Sequence, residues 1–100
     1  MSRFPTETII APASTLTDYS GTTEAGVSTE IMPEDASARL YRIQNLSSTE
    51  TLWINDTGAE AGETLPGSYA LPPGGYYEFS SPYAVSVYAT TETAFSAARY

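Results

Sequence analysis

The sequence predicts an all-β fold, a small antiparallel β-sandwich or barrel of about six short strands preceded by an extended N-terminal arm. Short runs of alternating apolar and polar residues recur about every 8–12 residues, with turn-forming residues between them. No run shows the period of an amphipathic helix. The abundant Thr and Ser and the eight Tyr residues also favour strands and turns over helices.

Residues 1–37 form the predicted arm, because their composition differs from that of the rest of the chain. They carry one arginine against six carboxylates, and three prolines interrupt any long helix. Residues 20–26 are predicted to be a loop. An acidic segment of this kind is disordered alone, or it becomes ordered in an extended form on a partner. Its scattered apolar residues would then be anchors on a neighbouring surface, chiefly Phe4, Pro5, Ile9 and Ile10.

Residues 38–100 form the predicted β domain, which is organised around a central hairpin. In the first strand, residues 39–45, Tyr41 and Ile43 lie on one face. In the second, residues 51–55, Leu52 and Ile54 share a face. Because a short polar segment joins the two strands, we expect them to pair antiparallel.

Four more strands follow the predicted hairpin. Residues 59–67 are small and acidic and are expected to form a long surface loop. Pro-Pro-Gly-Gly and Ser-Ser-Pro sequences then mark two of the later turns. The strands between and after these signals are residues 68–71, 76–79, 84–89 and 93–100.

The composition excludes several classes of function. The chain has no Cys, His or Lys, and its formal net charge is −8. Thiolate and imidazole chemistry are therefore absent, and so is the clustered positive charge that phosphates or anionic membranes require. The start of the chain lacks the apolar core of a signal peptide, and no apolar run is long enough to span a membrane. We expect a soluble protein made in the cytoplasm, with no catalytic residues, cofactor or metal, no nucleic acid and no membrane partner.

Two weaker patterns have simple explanations. Glu60 and Glu63 resemble a catalytic carboxylate pair, but they lie in a Gly- and Ala-rich loop and are interpreted as solvated charges. A weak calcium site at an interface remains an alternative use of the chain's carboxylates. Asn45 and Asn55 each begin an N-glycosylation pattern, and both are better explained as turn formers.

The arginines and aromatic residues of the β domain are the candidates for binding. Arg39 and Arg42 either protect an exposed edge strand or pair with carboxylates of a neighbouring subunit or partner. Five tyrosines are divided between the core and an aromatic interface or sugar-stacking surface, and with Trp53 they are the candidates for carbohydrate binding: Tyr69, Tyr76, Tyr77, Tyr83 and Tyr88.

The order of short motifs in residues 39–100 is distinctive, although each motif alone shows only strand and turn chemistry. An Arg-led strand ending in Ile43-Gln44-Asn45 is followed by Leu52-Trp53-Ile54-Asn55. A Pro-Gly-Gly turn then leads into an aromatic strand, and a Val-rich strand lies near the end of the chain. The last two motifs are Leu71-Pro72-Pro73-Gly74-Gly75-Tyr76-Tyr77-Glu78-Phe79 and Ala84-Val85-Ser86-Val87-Tyr88-Ala89. Taken together and in this order, the motifs resemble a pattern that is common in small structural proteins of tailed bacteriophages.

The resemblance implies a non-enzymatic virion protein, most similar to capsid decoration (cement) and head fibre base proteins. It would bind the major capsid protein on the outside of a phage capsid and stabilise the lattice, as a homo-oligomer with a trimer favoured. The alternatives are a neck, tail or fibre-adaptor component and a carbohydrate- or receptor-binding module. The residues expected at the protein interface are Phe4, Pro5, Ile9, Ile10, Arg39, Arg42, Trp53 and Tyr76.

Overall fold

Nine strands and no helix form the described part of the chain, residues 16–38 and 40–100 of a computed structural model. The six predicted strands of the β domain are confirmed as β4 to β9. Three short strands precede them. The strands are β1 (Thr17–Asp18), β2 (Gly21–Thr22), β3 (Thr29–Met32), β4 (Tyr41–Asn45), β5 (Leu52–Asn55), β6 (Ser68–Leu71), β7 (Tyr76–Phe79), β8 (Val85–Tyr88) and β9 (Ala94–Arg99).

The strands form two antiparallel sheets, which confirms the predicted all-β fold and identifies it as a sandwich. Sheet I has the order β1-β9-β4-β7, with β2 also paired to β9. Sheet II has the order β3-β8-β5-β6. The inward side chains of both sheets form one core of Met32, Tyr41, Ile43, Leu52, Ile54, Leu71, Val85, Val87, Phe95 and Ala97.

The chain crosses between the sheets at almost every connection. β1 and β2 run along β9 as one strand interrupted at Tyr19 and Ser20, and from β2 onward only β5 and β6 are consecutive strands of the same sheet. With β1 and β2 counted as one strand, this is the strand order of a jelly roll. Within the described residues, no helix is long and apolar enough to cross a membrane.

The predicted central hairpin is wrong. β4 pairs with β7 and β9, whereas β5 pairs with β6 and β8. The polar segment between β4 and β5 therefore crosses from one sheet to the other, and the buried residues of the two strands meet across the core. Period-two alternation shows which side chains are buried, but it does not show which strands pair.

The described part of the predicted arm is paired into the sandwich. β1 and β2 extend sheet I beyond β9, and β3 extends sheet II beyond β8. Met32 is fully buried in the core, and Tyr19 and Ile31 pack against the core residues. The β domain therefore includes residues 17–32, since these few apolar residues are enough for edge strands whose outer faces are solvated. The predicted loop at residues 20–26 contains β2, and the four expected anchors at residues 4–10 lie outside the described residues.

Candidate functional site

Three aromatic side chains meet at one side of the sandwich, where β6 and β7 are the edge strands of opposite sheets. The ring centroids of Tyr69 and Tyr77 are 5.2 Å apart, and those of Tyr77 and Phe79 are 6.1 Å apart. Tyr69 is 42% exposed and Phe79 is 51% exposed. We call Tyr69, Tyr77 and Phe79 the aromatic edge.

The register of the edge strands explains this cluster. Tyr77 lies opposite Ile43 on β4, and Tyr69 lies opposite Ile54 on β5. Both partners are fully buried, so the two tyrosines occupy inward positions. An inward side chain on an edge strand lies at the open side of a sandwich, and here large rings fill the gap between the sheets.

A buried hydrogen bond supports the aromatic edge from behind. The ring of fully buried Tyr41 is 6.1 Å from that of Tyr77, and its hydroxyl donates to Oδ2 of Asp56 at 2.5 Å. Ser81 Oγ donates to the backbone carbonyl of Asp56 at 2.8 Å. Asp56 itself is only 5% exposed. The carboxylate thus fixes the orientation of the tyrosine ring on which Tyr77 packs.

The tyrosines of this cluster should make stability fall at alkaline pH. Burial, with the hydrogen bond to Asp56, raises the pKa of Tyr41 far above its ordinary value. Burial and a hydrogen bond with Tyr69 raise the pKa of Tyr77 to about 12. A tyrosine whose folded pKa exceeds its unfolded value of about 10 stabilises the fold below that pH and loses the contribution as pH rises.

We therefore expect the free energy of unfolding in urea to decrease as pH rises from about 10 to 12. Tyr77→Phe removes one of the hydroxyls whose pKa is raised and should make this decrease shallower. A wild-type free energy that stays constant through this range would contradict the assignment.

The predicted interface residues that the structure describes lie on two opposite faces. Arg42 and Tyr76 share the outer face of sheet I, where Arg42 is opposite Glu78. Desolvation raises the pKa of Tyr76, and the charge of nearby Glu78 raises it further, whereas Arg42 opposes this shift. Trp53 is on the outer face of sheet II, opposite Tyr88 and Ala70. The interpretation of Arg42 as edge protection is wrong, because β4 lies between β9 and β7; Arg39 lies outside the described residues.

Two buried asparagines hold the loops that follow β4 and β5. Asn45 Nδ2 donates to the carbonyls of Glu50, Leu71 and Pro72. Asn55 Nδ2 donates to the carbonyls of Glu60 and Pro66. Each Oδ1 accepts the backbone N–H two residues further on, at Ser47 and Thr57. The two residues are turn formers, as predicted, and being fully buried they are inaccessible to glycosylation in the folded chain.

Sequence reasoning missed the role of Arg99. This side chain is 4% exposed and points into the sandwich from β9. Nη1 donates to the carbonyl of Pro33 at 2.5 Å, and Nη2 donates to those of Ser81 and Tyr83 at 2.9 and 3.1 Å. Its Nε–H has no hydrogen-bond partner among the described residues. Arg99 thus holds two loops against β9. The one sequence signal for this role is a single arginine among the mostly small residues of that strand.

Among residues 16–38 and 40–100, no three carboxylates are placed to share a metal ion. The chemistry of the aromatic edge is that of a binding surface, in which exposed rings are supported by a rigid interior.

Comparison with protein-family models, with curated proteins and with solved structures found no match to this chain.

Proposed function

We propose that this chain is a non-enzymatic structural protein of a phage virion, which binds the outside of the capsid and stabilises its lattice. The observation that carries the proposal is the aromatic edge. Tyrosine and phenylalanine are enriched at protein interfaces, and buried aromatic anchors supply much of the binding energy there. The rings of Tyr69 and Phe79 are already ordered by contact with Tyr77, so little conformational entropy is lost on docking.

Two further observations support a virion role. The motifs that resemble those of small phage structural proteins fall on β4, β5, β7 and β8, which occupy adjacent positions in the two sheets. The jelly-roll strand order recurs in viral capsid domains and also in lectin domains. Fold alone does not specify function, so this support is by analogy.

The mechanism we propose is mechanical. Many copies on a repeating lattice need only modest contacts each if the copies are joined as oligomers, because each further contact is then intramolecular. We propose the major capsid protein as the partner and a homo-oligomer, with a trimer favoured, as the assembled form. Contacts across the joints between capsid subunits would raise the cost of separating them. The net charge of −8 would keep the protein from sticking to DNA during assembly.

Replacing Phe79 and Tyr69 with serine should reduce attachment to purified capsids at least tenfold, because a lost aromatic anchor costs about 2 kcal/mol or more. Attachment is measured by co-sedimentation of added protein with particles that lack it. The matched control is Leu46→Ser. Leu46 is 55% exposed and follows the last residue of β4, whereas Phe79 lies opposite the first residue of that strand. Circular dichroism confirms that each variant is folded. Equal attachment by the wild type, the variant with both serines and the control would show that the aromatic edge is not part of the interface.

Anchoring by the arm is tested by deleting residues 1–15 rather than the whole predicted arm, residues 1–37. Removing residues 1–37 would also remove β1 to β3, which are paired in both sheets. Removing residues 1–15 leaves every described strand in place. Comparing this deletion with the serine variants separates anchoring by the arm from anchoring by the aromatic edge.

A further inference from the structure

A cleft of about 280 Å³ lies on the outer face of sheet II, away from the aromatic edge. One wall is the loop between β5 and β6, with Glu60, Glu63 and Leu65. The other wall is formed by Ser28, which precedes β3, and by Tyr88 at the end of β8. The predicted surface loop therefore lies across the sheet and encloses a concave site.

Hydrogen bonds fix the loop that forms this cleft. The Asn55 amide donates to the carbonyls of Glu60 and Pro66 at 2.9 and 3.1 Å, so one buried side chain holds both ends of the cleft wall. The Ala61 N–H donates to Ser28 Oγ at 3.0 Å and ties the loop to the far side of the sheet. A wall that is ordered before binding loses little entropy when a ligand enters.

One glycine is required for this arrangement. Gly67 has φ of 86°, a left-handed conformation that side chains strain. A Cβ at this position would also lie 3.2 Å from Oδ1 of Asn55. The chain can thus return from the loop to β6 while passing directly over the Asn55 amide.

The chemistry of the cleft combines an aromatic wall with carboxylate acceptors. Tyr88 lines the cleft and lies directly opposite Trp53 in the sheet, and both half-buried side chains are on the outer face, so Trp53 is the cross-strand neighbour of the aromatic wall. Glu60 and Glu63 are exposed on the loop. No cation is among the described residues that line the cleft, which disfavours an anionic ligand.

We propose that this cleft binds a neutral saccharide. Its volume is just below the roughly 300–1,000 Å³ of pockets for drug-sized ligands, which suits one or two sugar rings. The apolar face of a ring would stack on Tyr88, with Trp53 extending the platform. Glu60 and Glu63 would accept hydrogen bonds from hydroxyl groups, which are short and strong when the acceptor is charged. This inference is independent of the proposed function, because it uses a different surface.

The test is a titration of the full chain with glucose, galactose, N-acetylglucosamine and their disaccharides at millimolar concentrations. Trp53 is the only tryptophan, so its fluorescence reports binding beside Tyr88. We expect at least one sugar to give a saturable change, in EDTA as well as in calcium chloride. Tyr88→Ala and Glu63→Gln should each weaken binding about tenfold. Tyr83→Ala, which alters an exposed tyrosine outside the cleft, should leave it unchanged.

Three results would overturn the proposal. The first is the absence of a response to any of these sugars. The second is binding that Tyr88→Ala and Glu63→Gln leave unchanged. The third is a response to calcium chloride alone that sugars do not alter, which would assign the carboxylates to a cation. Since Glu63 is exposed on a loop, its variant tests the site even if the tyrosine variant does not fold. Loss of capsid attachment in a separate assay would not affect this result.

Discussion

Asn45→Asp should lower the free energy of unfolding at pH 7 by about 3–4 kcal/mol, a large part of the stability of a small domain. The Asn45 amide nitrogen donates to three carbonyls, at 2.7, 3.0 and 3.2 Å from its Nδ2 atom. An aspartate places a second oxygen among these acceptors and buries a charge without a partner. Because Asn45 joins the end of β4 to the loop before β5 and to the end of β6, the damage should spread to both sheets.

The pH dependence of this variant gives an internal check. Burial among carbonyls would raise the pKa of an aspartate here above its unfolded value of about 3.9. A protonated carboxyl can donate again, so the loss of stability should be smaller at pH 4 than at pH 7. Gln44→Glu makes the same chemical change at the exposed neighbouring position and should alter stability by less than about 0.5 kcal/mol. Equal effects of the two variants in urea unfolding would contradict the role of Asn45.

Arg99→Met should lower the free energy of unfolding by about 2–4 kcal/mol, although it places an apolar side chain in a buried position. The reason is that the carbonyls of Pro33, Ser81 and Tyr83 would lose their common donor. Hydrogen bonds to a charged group contribute about 1.5–3 kcal/mol each, and the desolvation of the guanidinium offsets part of their sum. The loops before β4 and before β8 should loosen first, which faster amide hydrogen exchange at residues 34–37 and at Ser81, Tyr83 and Ala84 would show.

Arg42→Met is the matched control, since Arg42 is exposed on the outer face of the same sheet. It should change stability by less than about 0.5 kcal/mol. If Arg99→Met proved neutral or stabilising, the desolvation cost of the buried guanidinium would outweigh its three hydrogen bonds. The arginine would then be retained for a reason other than stability.

The strands could be predicted from the sequence, but their partners could not. Alternation identified Tyr41, Ile43, Leu52 and Ile54 as buried, and each of them is fully buried. It could not distinguish a hairpin from a crossing between sheets, because either arrangement buries the same residues. The sparse apolar residues of segment 17–32 favour an arm over strands. Two-residue strands such as β1 and β2 leave no detectable period, and their position comes from pairing with β9.

The binding surfaces were less predictable than the fold. The sequence marks Trp53 and the tyrosines as candidates but not Phe79, and which of these rings meet depends on strand order. Tyr69, Tyr77 and Phe79 meet only because β6 and β7 are edge strands on the same side of the two sheets. Trp53 is directed to the opposite face from Arg42 and Tyr76 for the same reason. The cleft depends on how Asn55 folds the loop between β5 and β6 back over sheet II, and no local pattern encodes that path.

The proposed capsid function is tested most directly by the copy number of this chain in purified phage particles. Quantitative mass spectrometry gives the ratio of this chain to the most abundant shell protein. We predict a ratio of one to one, or of one to a small integer, as lattice-wide decoration requires. A ratio of one to several tens would instead indicate a neck, tail or fibre-adaptor component. The absence of the chain from particles would contradict a virion function altogether.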